Sequence, residues 1–225
     1  MRALASLLAL CTLPALAQDW QHYGGDAGGR HFSDADQINR SNVAELDVAW
    51  VHRSGDLERR GKLMERASSQ ATPLLLPEPA GESLVYCTPF NELIALDPGT
   101  GEERWRYDPH VESSGEGPFR CRGLAYYEES RVANGASCRH RLYTNTRDRR
   151  LIAVDARTGE RCLDFGENGE LELHGHGKPT DHVSTSSPPL ASSGLVISGS
   201  AIVDFHYAKA PRGTVQAFDA LTGEL

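Results

Sequence analysis

The sequence predicts an all-β protein built from repeated four-stranded antiparallel units, the architecture of a β-propeller, and three observations support this. A motif occurs three times, about 60 residues apart, in which an apolar run ends at Asp97, Asp155 or Asp219 and enters an x-x-Thr-Gly turn. The chain of 225 residues contains 22 glycines and 12 prolines, which suits a protein dense in turns. Between the turns, short apolar runs occur in groups of four, which is typical of propeller blades.

Each copy of the motif has the residues that a tight turn requires. In the first copy, Gly101 follows Thr100 and supplies the positive φ of such a turn, while the Asp and Thr side chains can bond the backbone of the turn. Trp105 comes next in this copy. Its large ring is expected to fill the seam between neighbouring sheets.

The strands are predicted in chain order from the apolar runs. Residues 48–51 are expected to be the last strand of a unit that the far end of the protein completes. The first unit is predicted to have strands at residues 73–76, 84–88, 93–96 and 104–107. The second unit is predicted to have strands at residues 123–127, 141–144, 151–154 and 161–165. The third unit begins with strands at residues 189–191, 196–198 and 214–218 and stops inside its copy of the motif.

Strand direction predicts which residues share a face. About two and a half units cannot close a ring, so the sequence predicts an incomplete propeller. In each unit, the start of the first strand and the turn between the second and third strands lie on one face, which we call the upper face. Gln70, Arg122 and Thr146 are expected there, with the turn at residues 89–91 and the loop at residues 200–212. The Thr-Gly turns are expected on the opposite face.

The first 17 residues have the pattern of a secretory signal, with Arg2, an apolar run at residues 3–13 and an Ala-x-Ala cleavage site at residues 15–17. The alternative is a short membrane anchor, but the run falls short of the ~20 residues that cross a bilayer. We therefore expect export to the periplasm, with residues 18–225 as the propeller segment and membrane association left open. The net charge of −8 argues against nucleic acid as a partner.

Four cysteines remain after removal of the signal: Cys87, Cys121, Cys138 and Cys162. No two of them form a C-x-x-C pair, which argues against a structural zinc site, and export favours disulfides. Three sets of pairs are possible. The first choice is a bridge between Cys121 and Cys138, because these two residues flank one predicted hairpin.

Three histidines, His174, His176 and His182, lie in a glycine-rich segment and suggest a metal cluster, since imidazole binds zinc. Neither helical nor strand spacing brings them together, so a solvated loop is predicted instead. The charge run at residues 147–150 is likewise predicted to be a solvated turn.

Five short motifs occur along the chain. They are A-x-D-x-x-T-G-x-x-x-W, Cys-Thr-Pro at 87–89, Cys-Arg-Gly at 121–123, Arg-Leu-Ile-Ala at 150–153 and Ser-Pro-Pro at 187–189. Together they resemble the dehydrogenases that depend on pyrroloquinoline quinone (PQQ), most of all their membrane glucose dehydrogenase branch. The resemblance extends over residues 19–225. It implies an eight-bladed propeller that holds PQQ above a divalent cation, Ca²⁺ or Mg²⁺, and oxidises sugars or alcohols.

The resemblance implies roles for four residues. Arg122 matches an arginine that holds the carboxylates of PQQ, and a guanidinium suits this task because it is always charged and binds carboxylate bidentately. Thr146 matches a threonine that bonds a PQQ carboxylate. Gln70 stands where relatives often carry Glu near the cofactor. Asp204 aligns with an acidic ligand of the cation, since Ca²⁺ and Mg²⁺ prefer oxygen ligands.

Each assignment has a structural alternative. Arg122 could form a surface ion pair, and Thr146 could cap a turn at the end of a strand. Phe205 follows Asp204 where the family usually has Asn, and this departure weakens the metal assignment. Phe90 stands where glucose-oxidising relatives often carry His, which leaves the substrate open between a sugar and an alcohol.

The resemblance also implies a general base that takes the hydroxyl proton of the substrate while hydride passes to PQQ. The matching residue is expected beyond residue 225, so no catalytic residue is named and this chain alone is expected to be inactive. The predicted function is the N-terminal part of an exported PQQ-dependent dehydrogenase that passes electrons to a respiratory acceptor, a quinone or a cytochrome. The alternative is a non-catalytic exported β-propeller that acts as a protein-binding scaffold.

Overall fold

A computed structural model of the protein describes residues 20–114, 117–173, 183–185, 187–202 and 213–225. Most of the regular structure in these ranges is short β-strands, which confirms the all-β prediction. Helix α1, Asp56–Arg60, has five residues. Three short 3₁₀ helices are Val43–Glu45, Gly61–Arg66 and Glu78–Ala80. None of the helices in these ranges has the length and apolar character needed to span a lipid bilayer.

Fifteen strands are found in the described ranges. In chain order they are β1 Ala67–Ser69, β2 Leu74–Leu75, β3 Leu84–Cys87, β4 Leu93–Leu96, β5 Glu103–Tyr107, β6 Phe119–Cys121, β7 Ala125–Glu128, β8 His140–Asn145, β9 Arg150–Asp155, β10 Glu170–Glu172, β11 Val183–Ser184, β12 Leu190–Ser192, β13 Leu195–Gly199, β14 Ala201–Ile202 and β15 Val215–Asp219.

Three antiparallel sheets contain most of these strands. The first sheet has the order β2-β3-β4-β5, the second has β7-β8-β9-β10, and the third has β12-β13-β15. Two smaller pairings complete the structure, a parallel ladder of β1 with β6 and an antiparallel ladder of β11 with β14. The sheets pack face to face, so that one apolar cluster lies between the first and second sheets and another between the second and third.

The predicted strands of the first sheet agree with the structure to within two residues at each end, but the fourth strand of the second sheet was placed wrongly. Residues 161–165 were predicted as this strand, and only Arg161 forms an isolated bridge, to Val154. The chain instead turns at Gly166 and Gly169, both with positive φ, and β10 then pairs with β9. Glycine permits this reversal because it has no Cβ.

Residues 48–51 pair with no strand in the described part of the chain, and the side chains of Val48 and Val51 are 79% and 65% exposed. Their assignment as a strand of a unit completed elsewhere in the protein stays a prediction.

The three Thr-Gly turns share two hydrogen bonds, as the sequence predicts. In each turn the aspartate carboxylate accepts from the backbone N–H two residues later, and the glycine N–H donates to the aspartate carbonyl. In the first, the Asp97 carboxylate accepts from the backbone N–H groups of Gly99 and Thr100, both at 2.9 Å. The Gly101 N–H donates to the Asp97 carbonyl at 2.8 Å. The glycine that ends each turn has a φ of +74°, +73° and +74° in chain order. Only glycine adopts this conformation without steric cost.

A tryptophan packs on each of the first two turns. Trp50 lies against Gly101 and Trp105 against Gly159, where a Cβ atom would stand 2.5 and 2.6 Å from the indole. Each indole N–H donates to the carbonyl of the residue after the turn aspartate, at 3.1 and 3.2 Å. Trp105 therefore fills the seam between the first and second sheets, as predicted.

The third turn is held by different groups. Leu163 occupies the position that corresponds to Trp105 and is 69% exposed. The Ala220 carbonyl accepts instead from the hydroxyl of Tyr143 and from the buried guanidinium of Arg141. Polar bonds from β8 therefore replace the indole at the seam between the second and third sheets.

Replacing Gly159 with alanine is expected to destabilise the full-length protein by about 2 kcal/mol more than replacing Gly135. Both glycines have positive φ, +73° and +76°, so the backbone strain is similar in the two variants. Only alanine at Gly159 places a Cβ against Trp105, because no heavy atom lies within 4 Å of that position at Gly135. Urea unfolding of both variants measures the difference, and equal losses would contradict the steric role of Trp105.

Two disulfides are present, Cys87–Cys121 and Cys138–Cys162. The predicted bridge between Cys121 and Cys138 was therefore wrong. Cys121 lies before the start of β7, and Cys138 lies before the start of its antiparallel neighbour β8. Because antiparallel neighbours start at opposite ends of a hairpin, the two cysteines are separated by the length of a strand.

Candidate cofactor site

The upper face is defined by two turns, at residues 88–92 between β3 and β4 and at residues 146–149 between β8 and β9. Each following strand runs from this turn to a Thr-Gly turn, so the two kinds of turn lie at opposite ends of the sheets. The upper turns contact each other. The Asn91 side chain donates to the Asn145 carbonyl at 3.2 Å, and the Arg147 N–H donates to the Asn91 side chain at 3.1 Å.

The starts of the first strands of the three sheets also meet on the upper face. Thr72, Gly123 and Pro188 precede β2, β7 and β12. The Cβ position of Gly123 is 3.6 Å from the Thr72 carbonyl oxygen and 3.2 Å from the Pro188 ring. This convergence brings residues that are far apart in the sequence to one place.

Gln70 and Arg122 are in direct contact on this face. The Arg122 Nε donates to the Gln70 side-chain oxygen at 3.1 Å, and the Thr72 N–H donates to the Arg122 carbonyl at 3.0 Å. Gln70 is exposed and Arg122 is half-buried. Within the described ranges, neutral Gln70 is the one side chain that bonds the Arg122 guanidinium, and no described carboxylate pairs with it. The alternative to a cofactor role, a surface ion pair of Arg122, is therefore not found among these residues.

Thr146 lies in the neighbouring upper turn and is 1% exposed. Its hydroxyl donates to the Asp148 carboxylate and accepts from the Arg150 N–H at 3.0 Å. The adjacent residue, Asn145, donates from its side chain to the Ser187 carbonyl at 3.2 Å, next to the place where the first strands meet. The structure thus brings Gln70 and Arg122 together, while Thr146 is on the same face with its hydroxyl bonded inside its own turn.

The proposed metal ligand Asp204, its neighbour Phe205 and the three histidines at 174, 176 and 182 lie outside the described residues. The predicted signal sequence, residues 1–17, also lies outside them. Among the residues that are described, no group of three or more His, Cys, Asp or Glu side chains could hold a metal ion.

Phe90 is a packed turn residue, 4% exposed. Its ring centroid is 4.7 Å from that of Phe119, and the Arg60 guanidinium lies 4.9 Å above it. Arg147 covers the Phe119 ring at 4.6 Å. The Phe90 side chain is therefore packed inside the protein and offers little surface to a substrate.

A buried charge cluster beside this turn was missed by the sequence analysis. Glu92 is completely buried and accepts hydrogen bonds from Arg59 at 2.8 and 2.9 Å, from Arg106 at 2.6 Å and from Arg60. Burial opposes ionisation of Glu92, but the three guanidiniums more than offset it and lower its pKa to about 2. The signal in the sequence was a charged residue placed directly before the fully buried strand β4. This cluster fixes α1 to the upper turn.

A cavity of about 710 Å³ lies against the side of the first sheet that faces away from the second sheet. Its walls include Leu84, Tyr86 and residues 52–58. His52 bonds the Tyr86 hydroxyl at 2.9 Å. Gln70, Arg122 and Thr146 do not line this cavity, but Ser69 and Ala71, on either side of Gln70, do.

The fold defines a class: a sector of a β-propeller, with packed antiparallel sheets whose first strands converge and a half-buried arginine near the point of convergence. The family profile described as PQQ glucose/ethanol/alcohol dehydrogenase, β-propeller domain, matches residues 20–225. The chain belongs to this family of PQQ-dependent dehydrogenases, which confirms the resemblance found in the sequence.

Similar proteins include several quinoproteins. The quinate/shikimate dehydrogenase (quinone) of Acinetobacter baylyi is 40% identical over 94% of this chain and 28% of its own length. The quinoprotein glucose dehydrogenase of Escherichia coli K12 is 34% identical over 94% of this chain and 27% of its own. The crystal structure of the quinohemoprotein alcohol dehydrogenase of Comamonas testosteroni superposes with a TM-score of 0.69 at 26% identity, over 92% of this chain and 26% of that one. The chain thus spans less than a third of these relatives.

Proposed function

We propose that this chain is the N-terminal part of a PQQ-dependent dehydrogenase that oxidises a sugar or an alcohol and passes the electrons to a respiratory acceptor, a quinone or a cytochrome. The observation that carries the proposal is the family match over residues 20–225, combined with the Gln70–Arg122 pair on the upper face. The same match disfavours the alternative of a non-catalytic scaffold.

The three sheets are proposed to be blades of an eight-bladed ring that the rest of a longer protein completes. Support comes from the face-to-face packing of the sheets and from the convergence of their first strands. Residues 48–51 are apolar and pair with no strand in the described part of the chain, and Val48 and Val51 are exposed, as expected for a strand whose partners lie elsewhere. Residues 1–17 are proposed to direct export to the periplasm.

The residues on the upper face fit a cofactor that carries carboxylates. Arg122 is half-buried, and its charge is not balanced by a described carboxylate, so it is suited to an anionic ligand. Gln70 orients the guanidinium through Nε and leaves its other nitrogens for the ligand. Thr146 is proposed to bond the same ligand, which requires its hydroxyl to exchange the Asp148 carboxylate for a new acceptor.

PQQ supplies a quinone that accepts two electrons from the alcohol carbon of a substrate. The residues of this chain hold the cofactor in place, and the general base is proposed to come from the rest of the protein. Asp204 is proposed as an oxygen ligand to Ca²⁺ or Mg²⁺ beside the quinone. Glucose, glycerol and quinate are all candidate substrates, because the names of the relatives include dehydrogenases of each.

Titration of the full-length apo-protein with PQQ is expected to show saturable uptake with Ca²⁺ or Mg²⁺ present and little uptake in EDTA. Asp204 would hold the cation, whose positive charge would offset the repulsion between this carboxylate and the anionic cofactor. Uptake is followed by PQQ absorbance after gel filtration, and turnover by dye reduction with glucose, glycerol, ethanol and quinate. A protein that takes up no PQQ under either condition would contradict the proposal and favour the scaffold.

A further inference from the structure

The Cys87–Cys121 disulfide lies directly beside the proposed cofactor residues. Cys87 ends β3 and leads into the upper turn at residues 88–92, and Cys121 ends β6 and leads into Arg122. The Cα atoms are 6.0 Å apart, and the two half-cystines are 1% and 6% exposed. The bond therefore connects a strand of the first sheet to the segment that carries the arginine.

Besides the disulfide, the segment that carries Arg122 is held by the Phe119 ring, which packs on Phe90, and by the bond from the Thr72 N–H to the Arg122 carbonyl. Its β-ladder is short. Strand β6 belongs to none of the three large sheets and pairs with β1 over three residues. The register sets Ser69 opposite Cys121, so the next residues along these parallel strands, Gln70 and Arg122, are neighbours. A two-stranded ladder of this length is marginal by itself, because few hydrogen bonds offset the loss of backbone entropy.

We propose that the Cys87–Cys121 disulfide is a positioning element for the cofactor, which holds the Gln70–Arg122 pair at a fixed place above the first sheet. Without the bond, the ladder of β1 and β6 shifts among several positions. Binding of a carboxylate then requires the Arg122 side chain to lose more conformational entropy, which weakens the affinity. This inference rests on the proposed function, since it assigns the bond a role in binding PQQ through Arg122.

The second disulfide provides a matched control. Cys138 and Cys162 are 7% and 0% exposed, with Cα atoms 5.6 Å apart. The two bonds span 24 and 34 residues of sequence, so their effects on the unfolded chain are similar. Cys138 donates its N–H to the Asp155 carboxylate of the second Thr-Gly turn, at the end of the sheets opposite Arg122.

The test measures PQQ affinity of the full-length protein in Ca²⁺ by fluorescence titration, together with Tm. C87S/C121S is expected to raise the Kd for PQQ about 10-fold, and C138S/C162S less than about 2-fold, while both lower Tm by similar amounts. If C87S/C121S fails to fold, Cys87→Ala with Cys121→Val keeps the site apolar and serves in its place.

A double-mutant cycle separates positioning from general weakening. In an Arg122→Ala background, removal of the Cys87–Cys121 bond should no longer change the Kd, because the group that the bond positions is gone. Equal effects with and without Arg122, or equal effects of the two disulfides, would overturn the inference. If the unmodified protein binds no PQQ, the proposed function itself fails. If the unmodified protein binds PQQ and C87S/C121S binds it with the same Kd, the proposed function stands and this inference alone fails.

Discussion

The Arg122→Ala variant of the full-length protein is expected to bind PQQ about 100-fold more weakly than the unmodified protein. A charge-assisted bond between a guanidinium and a carboxylate contributes roughly 1.5–3 kcal/mol, and about 1.4 kcal/mol corresponds to a factor of ten. Arg122 is half-buried and bonded to Gln70, so part of the ordering of its side chain is complete before the ligand arrives. Fluorescence titration in Ca²⁺ gives the Kd.

Two further variants make the Arg122 result specific. Arg122→Lys keeps the charge but loses the planar fork, and it should recover only part of the affinity. Arg40→Ala removes an arginine that is exposed in the N-terminal segment, and it should leave the Kd unchanged. An unaltered Kd for Arg122→Ala would remove the residue from the cofactor site, whatever family the chain belongs to.

The parts of the fold that depend on local sequence could be predicted. The Thr-Gly turns are specified by Asp, Thr and Gly within five residues, and their hydrogen bonds follow the prediction at all three places. The strands of the first sheet were also found from their apolar runs. Strand propensity and turn chemistry act over a few residues, and they are sufficient to predict these turns and strands.

Two errors came from contacts that the sequence does not display. The fourth strand of the second sheet was placed at residues 161–165, but Phe165 is fully buried in the core and the chain reverses at Gly166. The apolar pattern of a core turn is the same as that of a short buried strand. The predicted Cys121–Cys138 disulfide was wrong because the two cysteines lie at opposite ends of the hairpin of β7 and β8.

The sequence predicts which face of the sheets carries the candidate site, but it does not predict the hydrogen bonds within the site. Strand direction places Gln70, Arg122 and Thr146 on the upper face, while the bond between Gln70 and Arg122 depends on the register of β1 and β6, which are separated by about 50 residues of chain. Nor does the sequence indicate that the Thr146 hydroxyl is bonded to Asp148. The cluster around Glu92 was missed because it joins α1 to β5 through a side chain of the upper turn that precedes β4.

Glu92→Gln is expected to lower the free energy of unfolding of the full-length protein by about 3 kcal/mol at pH 7 and by much less at pH 2. Its carboxylate is completely buried and bonded to three guanidiniums, which lower its pKa to about 2 from an ordinary value of 4.5. A carboxyl whose pKa is lower in the folded state contributes stability that is complete above pH 4.5 and is lost as the pH falls toward 2. This shift corresponds to roughly 3 kcal/mol.

The difference between the two proteins reports Glu92 together with the groups that are coupled to it. One of these is Asp56, whose pKa is raised by burial and also by the charge of Glu92. Glu103→Gln is the matched control. Glu103 bonds the same Arg106 at 2.7 Å, but its side chain is 34% exposed, so its loss should cost less than about 1 kcal/mol. Urea unfolding between pH 2 and pH 7 provides the measurement. A constant difference between Glu92→Gln and the unmodified protein across this range would show that the loss comes from packing rather than from the charge of the buried carboxylate.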